Sequence, residues 1–96
     1  MIIISWNCRG FGNQRAVEVP TKLVRSKGPI VLFLMETKQS IAEMCNLCHD
    51  LNFQSVLVIP CEGHKGGLGL FWKVDCNLHI QTFSPNHINA HILSDN

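Results

Sequence analysis

Two apolar runs in this chain each end at a polar residue that is able to bind a phosphate or a metal ion. Residues 2–4 are all isoleucine, and the run ends at Asn7 just after Trp6. Residues 30–35 are all apolar, and Glu36 follows them directly. Runs of Ile, Val, Leu and Phe without polar alternation are typical of strands covered on both faces. Open α/β sheets bind ligands where their strands end, so we expect the amide and the carboxylate to meet at one edge.

Glu36 is the strongest candidate for a metal ligand. Carboxylate oxygen suits Mg²⁺, which takes one or two protein carboxylates and keeps several water molecules. Such a metal polarises a phosphoryl oxygen and activates water. Asn7 would donate to a phosphate oxygen or orient a carboxylate. Two ordinary alternatives stay open, namely a solvated glutamate at a strand end and an asparagine that makes a local turn bond.

Hydrophobic patterns and turn residues predict the strands and the first helix that must position these residues. The predicted strands cover residues 2–6, 30–35, 54–59, 68–73, 77–83 and 87–93. The first helix begins at Gln14 with Asn13 as its cap, and it stops at Gly28. Pro20 lies inside it, so we expect a kink or two short helical turns that meet there.

A second helix follows the second strand. Ser40 and Glu43 have the spacing of a capping box. Its predicted buried stripe consists of Ile41, Met44, Cys45, Cys48 and Leu51. The order β-α-β-α-β followed by consecutive strands predicts a mixed α/β (α+β) fold, with one mixed, mostly antiparallel sheet carrying two helices on one face.

Composition excludes several classes of protein. The 96 residues are enough for one domain, spanning residues 1–96. A net charge of +1 and a pI near 7.7 give no basic footprint for nucleic acid. No apolar run reaches the ~20 residues of a membrane span, and the first residues lack the pattern of a signal peptide. We therefore expect an intracellular protein whose five cysteines are reduced thiols.

Three sequence blocks together resemble the start of the endonuclease/exonuclease/phosphatase family, to which apurinic endonucleases and DNase I belong. The blocks are SWNCRG at residues 5–10, LMETK at residues 34–38 and GGLGLFWK at residues 66–73. In order and spacing they look like the endonuclease domain of plant LINE-type (non-LTR) retrotransposons and related reverse-transcriptase proteins. The resemblance covers nearly the whole chain, and it depends on all three blocks because any one alone would be unspecific.

This resemblance implies a four-layer α/β sandwich of which the chain would form the N-terminal half. It also implies Mg²⁺-dependent hydrolysis of phosphodiester or phosphomonoester bonds, with DNA as the partner and the nucleus as a location. Glu36 matches the metal-binding glutamate of the family. Asn7 matches the asparagine that orients the phosphate and the carboxylates. Lys38 lies in the same block as Glu36, and the resemblance implies that it contacts the phosphate.

The later blocks of the family are incomplete in these 96 residues. They comprise a Tyr-containing strand followed by an Asp-x-Asn pair, and a terminal Asp-His pair. The sequence has no tyrosine and no Asp followed by His, and its two Asp-x-Asn triplets, at residues 50–52 and 75–77, do not follow such a strand. Loss of a general base alone costs roughly 10²–10⁴ in rate. We therefore expect a remnant or fragment of a hydrolase that is inactive alone. The alternative is a non-catalytic domesticated fragment.

A cysteine pattern offers a further alternative, a small zinc-binding interaction module. Cys45 and Cys48, followed by Cys61 and His64, have a spacing compatible with zinc. The first pair with His49 also matches the C-x-x-C-H pattern of haem attachment. A buried helix stripe explains that pair without any ligand.

Overall fold

The computed structural model of the chain describes residues 2–9, 14–63 and 66–93, with the backbone alone over residues 14–19. In this part of the chain the elements are β1 (Ile3–Asn7), α1 (Gln14–Lys27), β2 (Val31–Met35), α2 (Ile41–Asp50), β3 (Ser55–Ile59), β4 (Leu68–Trp72), β5 (Leu78–Ser84) and β6 (His87–Ile92). Each strand agrees with its predicted range to within one residue at either end. The predicted mixed α+β class is confirmed.

The first four strands form one mixed sheet in the order β1-β2-β4-β3. β1 and β2 are parallel because α1 crosses between them, whereas β2 with β4 and β4 with β3 are antiparallel. The prediction that all six strands share one sheet was wrong. Since β4 already has a partner on each side, β5 cannot pair with it, and β5 and β6 form a separate two-stranded sheet.

Both helices cover the same face of the four-stranded sheet, as predicted. α1 contributes Val24 and α2 contributes Met44 and Cys48 to a single core cluster. From the sheet, this cluster takes Leu32, Leu34 and Phe71, with Ile4, Trp6, Val56 and Val58 packed against it. Gly69 lets α2 approach closely, because a Cβ there would collide with the Met44 side chain.

The sequence predicted one feature of each helix, a proline inside α1 and a capping box at the start of α2. α1 runs through Pro20 as one helix, and the Pro20 side chain is buried; its predicted cap, Asn13, lies outside the described residues. In α2 the capping box is confirmed. The Glu43 backbone N–H donates to Ser40 Oγ, and the Ser40 backbone N–H donates to Glu43 Oε1, both at 3.2 Å.

The buried stripe of α2 is narrower than predicted. Met44, Cys48 and Leu51 are buried. Ile41 is 54% exposed and Cys45 is also exposed, so the prediction was wrong for these two residues. They are four positions apart and form a neighbouring row on the helix, which lies beside the row that contacts the sheet. Neither α1 nor α2, the helices of the described chain, is long and apolar enough to cross a membrane.

The second face of the four-stranded sheet is apolar but only partly covered. Val31, Leu68 and Leu70 are buried at its centre. Around them, Ile3 is exposed and the other large side chains are half-buried: Phe33, Met35, Leu57, Ile59 and Trp72. Apolar surface of this kind drives association, so we expect the chain alone to be poorly soluble or to self-associate.

Two neighbouring positions on β3 test the difference between the faces. Leu57→Lys, on the partly covered face, should cost about 1 kcal/mol or less and should reduce self-association. Val58→Lys, on the helix-covered face, should cost at least about 2 kcal/mol because it removes apolar burial and desolvates a charge. Urea denaturation and sedimentation velocity measure the two effects. Equal losses of stability at both positions would contradict this assignment of faces.

Candidate functional site

The ends of β1 and β2 and the start of β4 meet at one edge of the sheet, which we call the rim (residues 7–9, 36–38 and 66–67). Asn7 pairs with Met35, the residue before Glu36, and the Cys8 backbone N–H donates to the Met35 carbonyl at 2.8 Å. Met35 in turn pairs with Leu68 of β4. The register therefore brings Asn7 and Glu36 to neighbouring positions at the same edge, and both residues are exposed.

The Asn7 side chain is fixed by a local bond. Its Oδ1 accepts a hydrogen bond from the Arg9 backbone N–H at 2.9 Å. This is the turn bond that the sequence left as an alternative. It is compatible with a ligand role, because it holds the amide in place while Nδ2 makes no hydrogen bond to any described residue. Nδ2 is a donor only, so the free end of the amide suits a phosphate oxygen.

The segment around Glu36 has an unusual backbone that adjoining residues hold in place. Glu36 and Lys38 both lie in the left-handed region, with φ of +50° and +53°, where residues other than glycine are uncommon. The Thr37 N–H donates to the Gly67 carbonyl at 3.2 Å, and the Lys38 N–H donates to the Gly66 carbonyl at 3.0 Å. Thr37 is fully buried, whereas Glu36 and Lys38 are exposed. The Glu36 carboxylate and the Lys38 ammonium group are therefore exposed on a turn whose backbone is held by hydrogen bonds to Gly66 and Gly67.

Gly67 makes this close approach sterically feasible. Its φ is +96°, and a Cβ at this position would collide with Thr37 Oγ1 and lie 3.1 Å from the Lys38 backbone nitrogen. Thr37 Oγ1 is itself buried and has no hydrogen-bond partner within the described chain. Neither Thr37 nor this role of Gly67 was predicted from the sequence. The Gly-Gly pair at 66–67 is a turn signal, but the residue it contacts cannot be read from it.

Cys8 is a residue of the rim whose side chain is buried beneath the exposed ones, and no sequence pattern gave it a role. It is buried, and burial raises the pKa of its thiol to about 12. A backbone hydrogen bond from Met35 to the thiol lowers the pKa, and the negative charge of Glu36 raises it. The thiol therefore stays protonated at neutral pH and is a packing group rather than a nucleophile.

The rim offers hard oxygen ligands, which is the chemistry that Mg²⁺ prefers. The Glu36 carboxylate is the only acidic group among residues 7–9, 36–38 and 66–67. Across the described ranges, no three His, Cys, Asp or Glu side chains converge on a metal position. An ion at the rim would therefore be held by Glu36 and would complete its shell with water and phosphate oxygens.

The cysteines of the zinc alternative do not converge in the part of the chain that is described. Cys45 is exposed, and Cys48 Sγ points into the structure, 3.5 Å from the Phe53 carbonyl and 3.8 Å from that of Ser55. Ser55 begins β3, whereas Cys61 lies beyond its other end, at least about 13 Å away along the strand. His64 lies outside the described residues. All five cysteines are free thiols.

Comparison of the chain with models of known protein families and with curated protein sequences found no match. The proposed relation to metal-dependent nucleases therefore depends on the three sequence blocks and on where their residues lie.

The contact between the two turns of the rim can be tested with a matched pair of glycines. Gly66→Ala places a side chain in open space at φ of +75°, so it should cost about 1–2 kcal/mol of stability. Gly67→Ala also meets Thr37 Oγ1, and it should cost about 1–3 kcal/mol more. The midpoints of urea unfolding measure both. Indistinguishable midpoints would mean that the two turns do not pack as described.

The burial of Cys8 predicts slow alkylation. At pH 8, a thiol whose pKa is about 12 instead of 9.0 is ionised about 10³-fold less. We expect iodoacetamide to modify Cys8 far more slowly in the folded chain than in urea, as measured by peptide mass spectrometry. The exposed Cys45 is the internal control and should react in both states. Rapid labelling of Cys8 without urea would contradict the described packing.

Because burial disfavours the charged form, the same shift predicts a loss of stability at high pH. Below pH 9 the Cys8 thiol is neutral in both the folded and the unfolded state and has no effect on unfolding. As the pH rises from about 9 towards 12, the unfolded chain releases the proton and the folded chain does not. The free energy of unfolding should therefore fall across this window, and it should fall less in Cys8→Ala. A parallel decline in the two proteins would rule out this effect.

Proposed function

We propose that the chain is a remnant or fragment of a Mg²⁺-dependent phosphodiester hydrolase of the endonuclease/exonuclease/phosphatase type, and that the rim is one half of its active site. The observation that carries this proposal is the convergence of the three blocks. They are separated in the sequence, yet they form or flank the adjacent strands β1, β2 and β4. Asn7, Glu36, Lys38 and the glycine pair at 66–67 all lie at the same edge of the sheet.

Three exposed residues of the rim have distinct proposed roles in binding the metal and the phosphate. Glu36 would hold the metal, which, when bound, polarises a phosphoryl oxygen and activates water. Asn7 Nδ2 donates a hydrogen bond to a phosphate oxygen, while its Oδ1 stays on the Arg9 N–H. The exposed ammonium group of Lys38 lies on the same turn and balances the negative charge of a phosphodiester.

Among the described residues of the proposed half-site, no group is placed to act as a general base. Glu36 is committed to the metal, and the Cys8 thiol is protonated. Without a base the rate falls by roughly 10²–10⁴, so the 96 residues are inactive or nearly so alone. The resemblance gives DNA as the substrate class and implies a nuclear location.

A non-catalytic fragment is the second candidate. The partly covered apolar face of the sheet favours it, because such a surface suits association with another folded unit. In this case the rim would keep the ancestral geometry without turning over a substrate. The two candidates differ in whether the carboxylate of Glu36 still binds a metal.

Metal-directed cleavage of the polypeptide tests the half-site. Fe²⁺ bound in place of Mg²⁺, with ascorbate and peroxide, cuts the backbone near its site. We expect cuts close to residues 7–9, 36–38 and 66–67, identified by mass spectrometry and suppressed by excess Mg²⁺. Glu36→Gln should abolish all three cuts. Glu62→Gln, which changes an exposed carboxylate of the neighbouring β3–β4 loop, should leave them unchanged.

Cuts that survive in Glu36→Gln, or that never appear in the wild-type chain, would refute the metal half-site. Catalysis is tested separately by the nicking of supercoiled DNA in Mg²⁺. We expect no nicking above that of a buffer control. Nicking that disappears in Glu36→Gln but not in Glu62→Gln would show a working nuclease and would overturn the statement that the chain is inactive alone.

A further inference from the structure

The hairpin formed by β5 and β6 carries a pair of histidines that the rim does not use. His79 and His91 are directly opposite each other in the register of the two strands, and both are exposed. Directly opposed residues on antiparallel strands lie on the same face, with Cβ atoms about 4.5–5.5 Å apart. The two imidazole side chains therefore start from opposed positions on the same face of the hairpin.

A β-bulge determines which surface this is. The register shifts by one residue between Ile80 and Thr82, so Gln81 has no partner. The shift keeps the apolar residues on one face, which comprises Leu78, Ile80, Phe83, Ile88, Ala90 and Ile92. The opposite face is polar and comprises His79, Thr82, Ser84, His87, Asn89 and His91. Since slippage by one residue would move side chains to the wrong face, this pattern fixes the histidine pair in register.

One histidine of the pair is already oriented by a neighbour. Asn77 Oδ1 accepts a hydrogen bond from His79 Nε2 at 2.7 Å. The Asn77 carbonyl in turn accepts from the Leu93 N–H at 2.9 Å, which ties it to the opposite strand. Because an amide oxygen only accepts, the proton of the neutral ring is on Nε2 and the lone pair is on Nδ1. Metal-binding histidines commonly use one ring nitrogen in this way and the other as the ligand.

We propose that His79 and His91 form a two-imidazole chelate site for a divalent transition metal ion of the class that prefers nitrogen ligands, such as Zn²⁺. His79 binds through Nδ1, and water completes the coordination. This site is separate from the rim, which offers oxygen ligands at the edge of the other sheet. It does not depend on the proposed hydrolase.

His87 does not belong to the site, although it lies on the same face. It is opposite Ser84, and its Nδ1 is bonded to Ser84 Oγ. His87 and His91 are four positions apart, which is about 13 Å along the strand. No third His, Cys, Asp or Glu among residues that the structure describes joins the pair. The site is therefore a two-ligand clasp across the hairpin.

A metal bound by His79 and His91 would stabilise the β5–β6 hairpin, which packs little against the rest of the described fold. β5 and β6 pack mainly against each other, and an isolated two-stranded hairpin is marginally stable. A metal that binds only the closed hairpin, at a concentration of 100 times its Kd, shifts the ratio of closed to open forms about 100-fold. Metal occupancy would thus decide how firmly the hairpin is formed.

The experiment uses Zn²⁺ as the probe and the full 96-residue chain at micromolar concentration. Zn²⁺ affinity is measured by competition with a chromophoric chelator, and protection of residues 78–92 by hydrogen exchange with mass spectrometry. We expect Zn²⁺ to slow exchange in the hairpin of the wild-type chain. His79→Gln and His91→Gln should each weaken binding at least about tenfold and abolish the protection. His49→Gln, an exposed histidine on α2, is the matched control and should change neither.

Exchange rates without metal show whether each variant still forms the hairpin. Removal of both histidines in a chain with normal metal-free exchange must abolish Zn²⁺-dependent protection. Protection that persists there would overturn the proposal, because the ion would then be on the thiols or elsewhere. Zn²⁺ affinity that falls equally in His49→Gln would overturn it as well, since binding would not be specific to the pair.

Discussion

The parallel pairing of β1 with β2 is the constraint on which the rest of the structure depends. It requires a crossover, and α1 provides it on the face where α2 also packs. It also makes two strands that start from one edge end together at the other. If β1 ran the opposite way, Asn7 would lie at the far end of β2, about five residues or 17 Å from Glu36. The candidate site thus follows from strand direction before any side chain is considered.

The rim has buried residues that fix its backbone and exposed polar residues that face solvent. Thr37 and Cys8 are its buried members, and the backbone hydrogen bonds from residues 37 and 38 to Gly67 and Gly66 hold the turn against the start of β4. In front, the Asn7 amide and the Glu36 carboxylate remain in solvent. Left-handed backbone at two non-glycine residues costs energy, and the hydrogen bonds to the glycine pair offset that cost. A turn held in this way can present a carboxylate in a fixed position.

The two sheets of the molecule share one property, an apolar face that the described chain covers only in part. On the four-stranded sheet this face lies opposite the helices, and on the hairpin it lies opposite the histidine pair. Apolar faces of this kind favour association with another apolar surface. Because the hairpin packs mainly on itself, a metal ion bound across its two strands would have a large effect on its stability.

Much of the local structure followed from the order of residues alone. Strand positions, the capping box of Ser40 and Glu43, and the end of α1 at Gly28 depend on periodicity and on neighbours within four residues, so the sequence determines them. Tertiary structure decided what depends on distant partners. It separated β5 and β6 from the main sheet because both sides of β4 were occupied, and it turned Cys45 outwards. It also brought Gly67 against Thr37 and placed His79 opposite His91, since no local pattern encodes the pairing of residues so far apart in the chain.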